Sequence, residues 1–187
     1  MKTLAAIVLG GATALAVMTA QPACAAAAQA APSALRQVQD RQAITDMMAR
    51  YEWALDSGDA QAYGALFAED AVLVSTVGNQ TGRPAIVKMI EDLVKRFAAA
   101  SPGPAGPNGR RPMRLQHILS NLVIDLHGDT ADAKSFWTEV WNPKGAGLEV
   151  RVSGHYEDKL VRRNGKWWFA RREIVDDIMP GAPLTAG

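Results

Sequence analysis

Apolar and polar positions change their period along the chain. Ile44, Met47, Met48, Tyr51 and Leu55 fall at i, i+3, i+4, i+7 and i+11, which predicts a helix with one buried stripe from about Ala34 to Ser57. Gly58 is expected to end it, and Asp59 can cap a short second helix reaching Phe67. Ala71-Val72-Leu73-Val74-Ser75 reads as a strand. Gly82 and Pro84 open a third helix, whose stripe is Ile86, Met89, Ile90, Leu93 and Phe97. Ser101 to Pro112 holds too much proline and glycine for regular structure and is expected to be a loop. Beyond it the period becomes two. Strands are predicted at about Leu115–Leu126, Thr130–Trp141, Leu148–Arg162 and Lys166–Val175, joined by His127-Gly128-Asp129, Asn142 to Gly147 and Asn164-Gly165.

Helices gathered ahead of a run of antiparallel strands predict an α+β domain with one face of the sheet covered. Four long, strongly twisted strands curl around a long helix rather than lie flat on it. The expected shape is therefore a cone-shaped antiparallel sheet wrapped around the N-terminal helix, with two further helices. The open end of a cone is a pocket in which polar groups lose bulk water.

The remaining segments bound the domain at about residues 34–179. Residues 1–25 carry Lys2, an apolar stretch from Leu4 to Met18 and the small-x-small ending Ala23-Cys24-Ala25, the pattern of a secretory signal peptide. A lipoprotein anchor on Cys24 is the rival reading, disfavoured by Gln21 and Pro22 ahead of it. Residues 26–33, opening on an Ala/Gln/Pro run, read as a flexible linker and residues 180–187 as a C-terminal tail. A secreted, periplasmic location follows as an expectation.

Composition narrows the chemistry. At 187 residues, 48% hydrophobic and 21% charged, the chain has one globular domain's worth of sequence. Twenty Lys and Arg stand against nineteen Asp and Glu with no long basic run, which argues against nucleic acid and, once the leader is cleaved, against a membrane surface. Cys24 is the single cysteine, so neither a disulfide framework nor a cysteine-rich metal site is available. Phosphate loops, dinucleotide fingerprints, serine elbows and zinc-helix motifs are absent. Cofactor-independent proton transfer is the chemistry left open: an imidazole base, a carboxylate to fix its tautomer and a donor opposite.

Three histidines are present. His127 lies in a turn, and His155 alternates with Tyr156 among polar neighbours, suggesting the outer face. His117 shares a strand face with Leu119 and Asn121, a mixed face suited to a pocket wall, although a buried histidine bonded to a backbone carbonyl has the same pattern. Asp56 stands in the last turn of the first helix, where the dipole disfavours a carboxylate, so a compensating partner is expected. Tyr51 lies on the apolar stripe, and its hydroxyl needs a partner if buried. Trp137, Glu139 and Trp141 share one strand face and Phe136, Thr138 and Val140 the other. Inward tryptophans would make a flat wall for an aromatic ligand, whereas outward ones would mark a dimer interface. Of Arg171 and Arg172, one points inward.

The segments DRQAITDMMARYEWALDSGD, LFAEDAVL, HILSN and GHYEDKLVRRNGKWWFARR resemble the SnoaL-like branch of the nuclear transport factor 2-like superfamily, over about Leu35 to Asp177. The resemblance implies the cone fold, self-association as a dimer or trimer, and a pocket between the sheet and the first helix. By similarity to dehydratase and dehydrohalogenase members, His117 is the base and Asp56 orients it, with Tyr51 as acid or hydrogen-bond donor. Arg172 and Glu139 are carried over as residues that contact substrate, beside Trp137, Trp141 and Asn121.

These readings converge on a cofactor-free lyase, dehydratase-like or formaldehyde-releasing, acting on a hydrophobic aromatic or polycyclic hydroxylated molecule. A non-catalytic binder of an apolar ligand, an isomerase or cyclase of ketosteroid-isomerase type, and an interaction module using exposed tryptophans are the alternatives.

Overall fold

The computed structural model describes residues 33–100, 115–141 and 147–178. The expected leader, most of the linker, the Ser101–Pro112 loop, most of the Asn142–Gly147 connection and the C-terminal tail lie outside them. The element order is α1 (Ala34–Ser57), α2 (Ala60–Gly64), β1 (Phe67–Val74), β2 (Gln80–Thr81), α3 (Arg83–Ala100), β3 (Leu115–His127), β4 (Thr130–Trp141), β5 (Glu149–Arg163) and β6 (Lys166–Ile178). The α+β class is as expected: a curved, unclosed sheet with a long N-terminal helix and two more.

Three local features depart from the sequence reading. The sheet is mixed rather than antiparallel throughout. Its order is β2-β1-β6-β5-β4-β3, and β1 runs parallel to β6. Second, α2 stops at Gly64 and Phe67 already belongs to β1, because the Phe67 ring is needed in the core against Phe169 at 5.1 Å. Third, β3 carries a bulge. Ser120 pairs with Phe136 but Val123 pairs with Lys134, so one extra residue sits in β3 and its side-chain alternation reverses. Leu119 precedes the bulge on the inner side, and Leu122 and Ile124 continue the core after it.

The helix α1 is tied to the sheet near both ends. Near its start the Trp167 indole N–H donates to Asp40 at 2.9 Å. At its finish Gly58 adopts a left-handed φ of 69° and its N–H returns to the Leu55 carbonyl at 3.0 Å, closing the helix. Between them Ile44, Met48 and Tyr51 are fully buried against the sheet. On the opposite wall Gly154 faces Trp137 across β4 and β5, and a Cβ there would lie 1.9 Å from the Val175 carbonyl oxygen. Only glycine lets β6 and the Trp137 ring close on that point.

Candidate active site

Asp56 occupies the unfavourable end of the α1 dipole, and β3 supplies the compensation. Because β3 is an edge strand, N–H groups turned away from β4 have no strand partner. The backbone N–H of His117 donates to one Asp56 oxygen at 3.0 Å, and Nδ1 of its ring meets the other at 2.6 Å. Two bonds from one residue fix both the strand and the ring. The side chains are 9% and 4% exposed. With Nδ1 engaged by a carboxylate, the hydrogen bond selects the Nδ1–H tautomer and leaves Nε2 as the basic nitrogen.

His117 lines a large groove between α1, α3 and the sheet, together with Trp137 and Glu139. Glu139 is the cross-strand neighbour of His117 and stands 3.6 Å from Nε2, too far for a hydrogen bond but close enough to favour a proton there. Arg151 holds Glu139 at 2.8 Å while stacking over Trp141. The Trp137 ring lies 5.9 Å from the imidazole. Burial alone would lower the His117 pKa, but the Asp56 hydrogen bond and the charges of Glu52, Asp56 and Glu139 outweigh it and carry the pKa above 6.5.

Tyr51 also borders the groove, one helical turn and a half before Asp56. The Tyr63 hydroxyl donates to the Tyr51 oxygen at 2.8 Å, which leaves the Tyr51 proton free to donate elsewhere. Burial, only partly offset by the charge of Arg172, pushes the Tyr51 pKa up to about 12. The group is thus a hydrogen-bond donor at neutral pH rather than a source of protons.

The structure brings His117, Asp56, Tyr51, Trp137 and Glu139 into the lining of one groove and leaves three expected contact residues elsewhere. Asn121 falls inside the β3 bulge with a φ of 52° and is exposed, because the extra residue breaks the alternation that placed it beside His117. Trp141 is engaged by Arg151 and does not reach the groove wall. Arg172 points inward but into the core. It is fully buried, its guanidinium lies 3.9 Å, 4.0 Å and 4.2 Å from the Tyr51, Tyr156 and Phe169 rings, and it bonds Asp158 at 2.7 Å and 2.8 Å. Burial opposes that charge, but the Asp158 carboxylate outweighs it and holds the Arg172 pKa well above its ordinary value.

Sequence reasoning missed two residues. Arg151 has no pattern to betray it. Glu52 does have a signal: it is four residues after Met48 and four before Asp56, on the buried stripe itself. Burial, reinforced by Asp56 and opposed by Arg172 and His117, raises its pKa from 4.5 to about 7. An acid whose pKa is raised on folding stabilises the fold fully below its unfolded pKa and loses that contribution as pH climbs through the folded one. His117, also raised, acts in the same direction. The chain is therefore expected to lose stability from about pH 4.5 to about pH 7, by on the order of 3 kcal/mol from Glu52, with the His117 contribution lost above 6.5. Urea unfolding at pH 5 and pH 8 checks this, and a free energy rising with pH would contradict it.

Among the described residues no group of three or more His, Cys, Asp or Glu is arranged to hold a metal ion. The sequence profile of the SnoaL-like domain matches residues 36–173, most of the chain and all of the groove residues just described. The chain belongs to the SnoaL-like domain family. Solved structures show the same fold. A nuclear transport factor 2-like protein with a cystatin-like fold from Novosphingobium aromaticivorans is 26% identical, with 79% of this chain and 87% of that chain covered and a TM-score of 0.63. A candidate scytalone dehydratase from the same organism is 24% identical, covering 80% and 92%, with a TM-score of 0.59. LinA is 16% identical, covering 82% and 98%, with a TM-score of 0.61. No curated protein matches this SnoaL-like chain in sequence.

Proposed function

We propose that this SnoaL-like protein is a cofactor-independent lyase for a hydrophobic, hydroxylated aromatic or polycyclic small molecule. The observation that carries the reading is the His117–Asp56 contact of 2.6 Å, nearly sealed from bulk water yet on the wall of an apolar groove. A surface ion pair would be open to water, whereas this buried pair belongs to the lining of the groove, where a perturbed acid–base group marks a candidate site. The likeness to a candidate scytalone dehydratase, a dehydratase by its description, fits that class of chemistry.

In the dehydration form of the reaction, Nε2 of His117 takes a proton from carbon, and the electron pair of that C–H bond becomes the new double bond. The neighbouring C–O bond breaks as it forms. The departing oxygen accepts a hydrogen bond from Tyr51 and receives its proton from the imidazolium, so water leaves and His117 returns to its starting state. Asp56 holds the ring and stabilises its charged form, and Glu139 favours the proton on Nε2. Trp137 offers a flat face to an aromatic substrate. The signal peptide expected at residues 1–25 sets the activity in the periplasm, and self-association is part of the same proposal.

The test starts from the ligand that co-purifies with the full chain, identified by mass spectrometry. That compound and a set of hydroxylated aromatic and polycyclic analogues are then followed over time with the protein. Protein-dependent loss of the mass of water or of formaldehyde is the expected result. A ligand that binds and is always recovered unchanged would make the protein a carrier.

A further inference from the structure

Both carboxylate oxygens of Glu52 are sealed from solvent, and neither makes a hydrogen bond within the fold. The residue is 6% exposed, on the same face of α1 as Asp56 and one turn away. Titratable or charged groups from five elements act on it electrostatically. Tyr51 and Asp56 come from α1, Tyr63 from α2, His117 from β3, Tyr156 from β5 and Arg172 from β6. The Tyr156 hydroxyl is near enough to ease the carboxyl slightly without making a sound hydrogen bond. Arg172 is bonded to Asp158, yet its charge is the largest favourable one acting on the Glu52 carboxyl, with His117 next, and Glu139 acts on the far nitrogen of His117. Glu52 thus has no hydrogen-bonded counter-ion, and of the two cations that act on it His117 is the one that can lose its charge.

We propose that Glu52 is a positioning residue for the dyad, an internal carboxylic acid that exchanges charge with His117 and so sets how firmly the imidazole holds a proton. With Glu52 ionised, the imidazolium gains a third anion beside Asp56 and Glu139. With Glu52 protonated, that support is withdrawn and the neutral imidazole is favoured. The two groups therefore titrate as a coupled pair sharing about one proton near neutrality. A substrate that dries the groove penalises separated charges and shifts the pair toward neutral acid and neutral base, the form in which His117 can take a proton from carbon. This rests on the proposed base role of His117, but the coupling itself needs no turnover to be seen.

The experiment is an NMR titration of the full chain with its glutamate side-chain carboxyls and histidine rings labelled. In the wild-type chain one glutamate carboxyl is expected to titrate at about 7, and the His117 curve is expected to be broader than a single-site curve. Glu52→Gln, an isostere of the protonated acid, should remove that carboxyl signal. It should also lower the His117 midpoint by roughly half a pH unit or more, about threefold in proton affinity, and restore a single-site curve. His117→Asn assigns the ring signal. Glutamate carboxyls that all titrate below about 5.5, or a His117 curve identical in wild type and Glu52→Gln, would overturn the proposal. The wild-type carboxyl titration decides the matter even if the variant fails to fold. A coupled pair in a chain without turnover would sink the lyase and leave this inference standing, and an active chain with uncoupled groups would do the reverse.

Discussion

His117→Ala is expected to lower kcat by about 10²–10⁴-fold, which is about 3–5 kcal/mol on the barrier. The size follows from the geometry: the ring is clamped at Nδ1 within the groove lining, so the base needs no search for orientation. Alanine removes the base and leaves the groove's other walls intact, so KM should change by only a few-fold. The same assignment sets the pH profile. A general base works when neutral, and the His117 pKa lies above 6.5, so kcat/KM should rise with pH through a midpoint above that value. Steady-state kinetics across pH checks both statements. Full turnover by the alanine variant would reject the base role.

Arg172→Met is expected to be the most damaging single change to stability, at about 3–5 kcal/mol. The ion pair it breaks is fully buried, with both side chains at 0% exposure. Its loss strands the Asp158 carboxylate, itself fully buried, with no cation and no water to reach it. Since a domain's whole stability is about 5–15 kcal/mol, such a loss is a large share of it. Burial already raises the Asp158 pKa, so the stranded carboxyl should take up a proton and the variant should recover partly at acid pH. Arg172→Met combined with Asp158→Leu should regain much of the stability, because an apolar pair of similar volume leaves no charge unpaired. Urea unfolding of the three chains gives the answer, and an unchanged free energy for Arg172→Met would contradict the structural role. A role in contacting substrate would instead appear as altered KM in a stable protein.

The Arg172 pair also shows where the sequence pattern stops being informative. Alternation along β6 says that one of two arginines points inward, but inward is both core and groove, and only the Asp158 position in the next strand decides between them. The α1 stripe and the four long strands were legible because their periods are local properties of the backbone. The members of the dyad were legible in part, since Asp56 stood where a helix end disfavours it and His117 on a mixed strand face, but their pairing came from the family resemblance. Glu52 was hidden because a stripe counted by apolar residues passes over a buried acid. Asn121 was misplaced because a bulge of one residue reverses a period of two and leaves no mark in composition. The parallel pairing of β1 with β6 joins segments about a hundred residues apart and has no local signature at all.

The central claim is that Asp56 makes His117 a base by holding its Nδ1 proton. Asp56→Asn keeps the shape of the side chain while removing the charge and allowing the wrong tautomer, so turnover and ligand affinity measured on that variant test the claim most directly. Turnover reduced at least about 100-fold with Kd within a few-fold of the wild-type chain is the expected result. Wild-type turnover by Asp56→Asn would contradict it.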